Sequence, residues 1–186
     1  MRTSSDTSNG KVELRPFDPS EADGWKLEVS FSRGTRLDIE YVLSGPLSRL
    51  KVPQRQDVHH RSDRLYEHTC FEAFVMGKNG KYIEWNFAPS GDWCEFAFES
   101  YRKPAKLPLD KPHFEWKKYQ ADAGKITAAV SLELNAFSDF WGGADGLTLG
   151  LSSVLEWRGG NKLYWAFKHP AGKPDFHATE NFGLKI

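Results

Sequence analysis

The fold of this chain is most evident in residues 65–102, whose sequence is LYEHTCFEAFVMGKNGKYIEWNFAPSGDWCEFAFESYR. It contains three strand-like segments in which polar side chains recur at every second position among aromatic and apolar residues. Alternate side chains of a strand point to opposite faces, so Glu72 and Phe71 lie on opposite faces of the first segment. In the second segment, Glu84 lies opposite Trp85. The pattern predicts a β-sheet with one apolar face and one mixed face.

The mixed face has an unusual composition for a face that only contacts water. It carries His68, Glu72, Glu84 and Asn86 beside tyrosine and tryptophan, whereas a solvated face usually carries Lys, Thr, Ser and Arg. Convergent polar groups next to aromatic rings are typical of a small-molecule site. The sequence therefore indicates a ligand-binding sheet, without naming the ligand.

The rest of the chain continues the strand pattern, with Gly, Pro and Asp at the turns. Further strands are predicted at residues 12–17, 25–33, 36–43, 113–119, 125–134, 147–155 and 162–168. About ten short antiparallel strands without a helix of more than about three turns predict an all-β, jelly-roll-like antiparallel β-sandwich.

The predicted sandwich occupies residues 11–186 as a single domain, because a chain of 186 residues suits one β-domain. Residues 1–10 have the polar composition of a disordered tail. Residues 51–64 are predicted to be a long surface loop and residues 103–112 an irregular connection. A short helical turn is expected within residues 135–143.

Composition restricts the classes of partner. Lys plus Arg and Asp plus Glu are balanced at 25 each, so no strong net field favours nucleic acid or an acidic membrane. The expected partner is a small molecule or a glycan, and the oligomeric state is left open. No signal-peptide pattern is visible, so the sequence as it stands predicts a cytoplasmic protein. The seven tryptophans exceed the needs of one core and suggest that some rings line a cleft.

The two cysteines, Cys70 and Cys94, lie in different predicted strands and form no zinc-type cluster. We expect both thiols to be reduced and buried, because free cysteine is among the most buried residue types. A disulfide would require the two strands to bring the Cα atoms within about 7 Å.

Four segments carry a resemblance to a known family: EHTCFEAF (67–74), YIEWNFAPSGDW (82–93), PDFH (174–177) and FG (182–183). Together they resemble DOMON-like proteins related to family 9 carbohydrate-binding modules, over roughly residue 65 to the C-terminus. The resemblance implies a jelly-roll sandwich with a sugar-binding ancestry.

A sugar site needs flat rings against the pyranose and a few polar groups for its hydroxyls. Trp93 and Tyr101 are the preferred stacking rings, whereas Trp85 is assigned to the core because it alternates with Ile83 and Phe87. The candidate ligand-binding residues are His68, Glu72, Glu84, Asn86, Trp93, Tyr101, Arg102, Trp165 and His177. The loop at residues 169–177 is the alternative location for the site.

No cofactor is expected. Haem, which some related DOMON domains bind, is disfavoured because an axial His or Met pair is required and the chain has two methionines. His68 and Glu72 are about 13 Å apart along a strand, too far to share one metal ion. Calcium held by loop carboxylates stays open, although no Asp-x-Asp loop is present.

Three functions are compatible with this pattern. The preferred one is a non-catalytic domain that binds a carbohydrate or another small polar ligand. The first alternative is a glycan hydrolase that uses Glu72 and Glu84 as a carboxylate pair, with His68. The second is a β-sandwich that binds another protein through exposed aromatic side chains.

Overall fold

The computed structural model describes residues 8–186 and is built from antiparallel strands. The strands are β1 Ser8–Pro16, β2 Lys26–Arg33, β3 Leu37–Ser44, β4 Cys70–Met76, β5 Tyr82–Phe87, β6 Trp93–Ser100, β7 Lys103–Pro104, β8 Phe114–Ala121, β9 Lys125–Leu132, β10 Thr148–Glu156, β11 Lys162–Ala166 and β12 Leu184–Lys185. The single α-helix in the described residues, α1, is the four-residue turn Ser138–Trp141. Both the predicted strands and the short helical turn are confirmed.

The strands form two sheets joined at one edge. The first sheet has the order β1-β2-β3-β9-β8, and the second has the order β7-β6-β5-β4-β10-β11, with β12 paired to β10. The end of β1 leaves the first sheet to pair with β11 through Arg15 and Pro16. The chain is thus an antiparallel β-sandwich, as the sequence predicts, and its two shortest strands account for the excess over ten.

The main core lies between the two sheets. Apolar side chains at every second position of β2, β3 and β9 face those of β4, β5, β10 and β11, in one continuous cluster. Tyr41 of β3 crosses this core, where its ring contacts Phe71 at a centroid distance of 5.1 Å and its hydroxyl donates to the Glu72 carbonyl at 2.7 Å. Trp85 is fully buried here, which confirms its assignment to the core.

The outer face of the second sheet is covered in part by the C-terminal segment, residues 169–183. Phe182 packs against Tyr82 and Phe74, with ring centroids 5.4 and 5.9 Å apart. Gly150 of β10 permits this approach, because a Cβ atom at that position would lie 2.9 Å from the Asn181 side-chain nitrogen. The C-terminal segment therefore forms a wall above the mixed face that the sequence singled out.

Three sequence-based boundaries are corrected. Strand β1 begins at Ser8, so residues 8–10 belong to the first sheet, where Gly10 pairs with Phe31; the rest of the predicted tail lies outside the described residues. Within the connection at 103–112, Lys103–Pro104 pairs with β6. His68 precedes β4 rather than lying in it. Residues 51–64 form an extended loop with one isolated bridge, between Arg61 and Trp93.

Both cysteines are free and buried, as expected. They lie on the outer face of β4 and β6, with β5 between them, and Cys70 contacts Asn86 of that middle strand. Two strand spacings amount to about 10 Å. That separation exceeds the reach of a disulfide bond.

Candidate functional site

A cavity of about 590 Å³ opens on the outer face of the second sheet, between the sheet and the C-terminal segment. We call it the outer-face cleft. Its volume falls in the range of small-molecule sites. Six aromatic side chains line its walls: Tyr66, Phe74, Phe96, Phe98, Tyr164 and Phe176. Its charged and polar lining includes Glu72, Glu84, Arg102, Asp175 and His177.

The floor of the cleft holds two buried carboxyl groups on neighbouring strands. Glu72 of β4 is paired with Asn86 of β5, and Glu84 lies two residues earlier on β5, so the two carboxyls are diagonal neighbours on one face. The Asn86 amide donates to Glu84 Oε1 at 2.8 Å. Ser152 donates to Glu72 Oε2 at 3.2 Å, and the Cys70 thiol lies 3.3 Å from Oε1. Glu84 is thus held by a residue of its own strand, and Glu72 by its own strand and by β10.

Burial changes the acidity of this pair. Desolvation raises the pKa of both Glu72 and Glu84 well above their ordinary value of 4.5, and repulsion from Glu84 raises the pKa of Glu72 further. The hydrogen bond from Asn86 and the charge of Arg102 lower the pKa of Glu84, but they do not offset its burial. The pair therefore retains a proton at pH values where exposed carboxyls have lost theirs.

His177 extends from the C-terminal segment to the carboxyl pair. Its Nδ1 lies 2.9 Å from the Tyr82 hydroxyl, which accepts from the Arg102 backbone N–H at 3.0 Å. Its Nε2 faces Glu84 Oε2 at 3.6 Å. Burial, and after it the charge of Arg102, lowers the pKa of His177 to about 4, so the imidazole is neutral near pH 7. Nδ1 thus contacts Tyr82, and Nε2 is the ring nitrogen that faces the carboxyl pair.

Arg102 and Asp175 close one end of the cleft. The Arg102 guanidinium donates to Asp175 Oδ1 at 2.8 Å, and the Tyr101 hydroxyl donates to Oδ2 at 2.6 Å. Burial raises the pKa of Asp175, but these two hydrogen bonds outweigh it and the net shift is downward. Arg102 also has a φ of 52°, in the left-handed region that non-glycine residues rarely adopt. This conformation allows the tight two-residue turn between β6 and β7.

The structure brings together five of the candidate residues named from the sequence. Glu72, Glu84, Arg102 and His177 line the cleft, and Asn86 lies beneath it, bonded to Glu84. The sequence suggested that Glu72, Glu84 and Asn86 lie on an exposed face. They are buried instead, because the C-terminal segment covers that face.

The other four candidates lie elsewhere. Trp93 and Trp165 are buried, with 6% and 2% exposure, on the face of the second sheet that points to the core. His68 does not line the cleft and pairs with Glu156, with Nδ1 and Oε2 2.8 Å apart. Tyr101 is exposed at the turn before β7 and reaches the cleft only through its hydroxyl bond to Asp175.

Sequence reasoning missed most of the aromatic wall. Phe96 and Phe98 alternate with Ala97 on β6, and this alternation places them on the same face as Cys94. The same count places Trp93 on the core face, where its ring contacts Phe114 at 6.0 Å. The signal was thus present in the spacing of β6. The alternation of Tyr164 with Leu163 and Trp165 on β11 likewise places Tyr164 on this outer face. No comparable signal links Asp175 to it, because Asp175 lies outside the strands and reaches this face through long-range packing.

Two further observations describe what residues 8–186 hold. No group of three or more His, Cys, Asp or Glu side chains in that range is arranged to hold a metal ion. The described helices include none with the length and apolar character needed to cross a bilayer.

The carboxyl pair predicts a specific pH dependence of stability. A carboxyl whose pKa is raised on folding stabilises the native state at and below its unfolded pKa, and this contribution is lost as the pH rises through the folded pKa. Replacing Glu84 with glutamine should therefore stabilise the protein by about 1 to 3 kcal/mol at pH 8, and by less at pH 5.

The measurement is urea unfolding of wild type and Glu84→Gln at pH 5, 6, 7 and 8. His177 has the opposite effect, because its lowered pKa stabilises the fold above pH 6.5 and this stabilisation fades toward pH 4. It is present in both proteins, so it largely cancels in the difference. A difference that does not change between pH 5 and 8 would contradict the prediction.

Comparison with known proteins adds information on the fold alone. No protein-family model matches the chain. No curated protein matches its sequence. Among solved structures, the chain is similar to a protein of Bacteroides uniformis described as a "putative carbohydrate-binding protein", with a TM-score of 0.60 and 16% sequence identity. The match covers 95% of this chain and 85% of the other. The chain therefore shares its β-sandwich fold with a bacterial protein of that description.

Proposed function

We propose that the chain is a carbohydrate-binding domain that holds its ligand in the outer-face cleft without transforming it. One observation carries the proposal: buried hydrogen-bonding groups form the floor of a cleft whose walls are aromatic. Sugars present hydroxyls around an apolar ring, so this combination matches both parts of the ligand.

The polar groups of the cleft offer both hydrogen-bond acceptors and donors. Glu84 Oε2 is 3.6 Å from His177 Nε2, too far for a normal hydrogen bond, and is therefore available to accept from a ligand hydroxyl. Arg102 uses one terminal nitrogen for Asp175 and has further N–H groups. The sites of hydroxyl recognition would thus lie at Glu84, His177 and Arg102.

Two likenesses support the same function. Four sequence segments resemble DOMON-like proteins related to family 9 carbohydrate-binding modules, and three of them, at 67–74, 82–93 and 174–177, contribute residues to the cleft. The fold is shared with the Bacteroides protein described above. Since a shared fold does not fix a function, the chemistry of the cleft remains the main support.

Binding without turnover is favoured over hydrolysis by the environment of Glu72. Its two oxygens lie within contact distance of Ser152 and Cys70, and the residue is 1% exposed. A nucleophile or general base has to reach the scissile bond. Because both carboxyl oxygens of Glu72 already contact other side chains, Glu72 is better placed to support Glu84 than to attack a ligand.

The test begins with a glycan array on the purified protein, followed by calorimetry with the best ligand. Phe96→Ala should weaken binding by about 1 to 3 kcal/mol, the loss expected for an aromatic anchor. Phe140→Ala is the matched control, since Phe140 is also half-buried but lies on α1, away from the cleft.

The proposal fails if no glycan binds, or if Phe96→Ala binds as tightly as wild type. Release of a sugar product from the bound glycan, abolished in Glu84→Gln, would establish the hydrolase alternative instead. A protein that co-purifies in fixed ratio and is displaced by Phe96→Ala would establish an interaction domain.

A further inference from the structure

The charges of the outer-face cleft do not balance. Asp175 is paired with Arg102, and Glu67 at the rim is paired with Arg64, each at 2.8 Å. In residues 8–186, the ion pairs made by lysine or arginine include neither Glu72 nor Glu84. The other cationic side chain that lines the cleft is Lys162. It is half-exposed at the rim, and its charge lowers the pKa of Glu67.

The cation whose charge acts on Glu84, Arg102, is already paired with Asp175. His177 Nε2 is 3.6 Å from Glu84, but its imidazole is neutral near pH 7. Burial raises the pKa of the Cys70 thiol and of the Tyr82 hydroxyl, so both stay neutral as well. In residues 8–186, the two buried carboxyl groups at the floor of the cleft therefore have no cationic side chain bound to them.

Aromatic rings line the cavity that holds the carboxyl groups of Glu72 and Glu84. Phe74, Phe96, Phe98 and Tyr164 all line the same cavity as Glu72 and Glu84. The face of an aromatic ring attracts cations, and the attraction grows when the site excludes water. Carboxyl groups at the floor and rings on the walls are together the arrangement that recognises an organic ammonium group.

We propose that the cleft selects sugars that carry a free, protonated amine over neutral sugars of the same size, with the ammonium group placed between Glu84 and the aromatic wall. This inference rests on the proposed carbohydrate-binding function. An ammonium group would supply the cation that the buried pair lacks, and the sugar hydroxyls would be left to Arg102 and His177.

The binding reaction also involves a proton. Since the carboxyl pair retains a proton near neutral pH, an incoming ammonium group displaces that proton to the buffer and leaves a carboxylate–ammonium pair. A neutral sugar accepts or donates hydrogen bonds without displacing it. Proton release on binding is therefore a signature of the ammonium contact, separate from affinity.

The experiment is titration calorimetry at pH 6, where the sugar amines are protonated, in the presence of EDTA and with three trisaccharides of equal length. They are fully deacetylated chitotriose, N-acetylated chitotriose and cellotriose. We expect the deacetylated ligand to bind at least tenfold more tightly than the other two. Its observed enthalpy should differ between phosphate and MES buffers in the direction of proton release.

Glu84→Gln should reduce the advantage of the amine to less than threefold and remove the proton release. Glu115→Gln is the matched control, because it makes the same chemical substitution at an exposed carboxylate of β8, paired with Lys117. That variant should behave as wild type. Circular dichroism of both variants checks that each is folded.

The outcomes separate the two proposals. Equal binding of the three trisaccharides, or an amine preference that persists in Glu84→Gln, overturns the inference and leaves carbohydrate binding intact. Absence of binding by any of the three and by every glycan of the array overturns both.

Discussion

Replacing Trp85 with alanine is expected to lower the free energy of unfolding by about 3 to 5 kcal/mol, the usual cost of removing a large buried ring. Trp85 is fully buried between the two sheets and packs against Phe137 at 5.7 Å between ring centroids. Its indole N–H donates to Glu95 Oε1 at 3.1 Å. The substitution therefore opens a cavity and also removes a hydrogen bond from a buried carboxyl.

Urea unfolding at pH 7 measures this effect. Trp85→Phe retains most of the volume but loses the bond to Glu95, so its cost should be smaller, about 1 to 2 kcal/mol. Val58→Ala is the control for a surface apolar residue and should change stability by less than about 0.5 kcal/mol. A loss below about 1 kcal/mol for Trp85→Ala would contradict the placement of the ring in the core.

Replacing Asp175 with alanine is expected to cost about 2 kcal/mol of stability and to weaken ligand binding at least tenfold. Asp175 accepts from Arg102, from Tyr101 and from the His177 backbone N–H, at 2.8, 2.6 and 3.1 Å. These bonds attach the C-terminal segment to the turn between β6 and β7. Their loss would release one wall of the cleft and leave Arg102 without its partner.

Unfolding and calorimetry on the same samples separate the two effects. Tyr101→Phe removes one of the three bonds and should cost less than about 1 kcal/mol, with binding retained. If Asp175→Ala binds the ligand as wild type does, the end of the cleft closed by Arg102 and Asp175 is not part of the site.

The carboxyl pair illustrates a compromise between stability and binding. Two buried acids side by side destabilise the fold at neutral pH, because each is desolvated and they repel one another. Their amide variants should be more stable and should bind the ligand less well. Such a trade-off is common where a residue serves a ligand rather than the fold.

The positions of the strands, and the sheet face to which each of their side chains points, could be predicted from the sequence alone. The period of two along β4 and β5 placed Phe71 and Trp85 toward the core and Glu72 and Glu84 on the opposite face, as the structure confirms. These assignments succeed because alternation along a strand is a local property of the backbone. The resemblance added an expectation of sugar binding, which the proposed function follows.

Which residues meet in the cleft depends on tertiary packing and is not evident from the sequence. His177 contacts Tyr82 of β5, 95 residues away in the chain, and Asp175 contacts Arg102 in the turn after β6, 73 residues away. The segment that carries them converts an outer sheet face into a buried floor. His68 contacts Glu156, a partner that the alternation of side chains along a strand does not predict. The physical reason is that a residue's face is set by its own strand, whereas its burial and partners depend on which distant segment packs over that face.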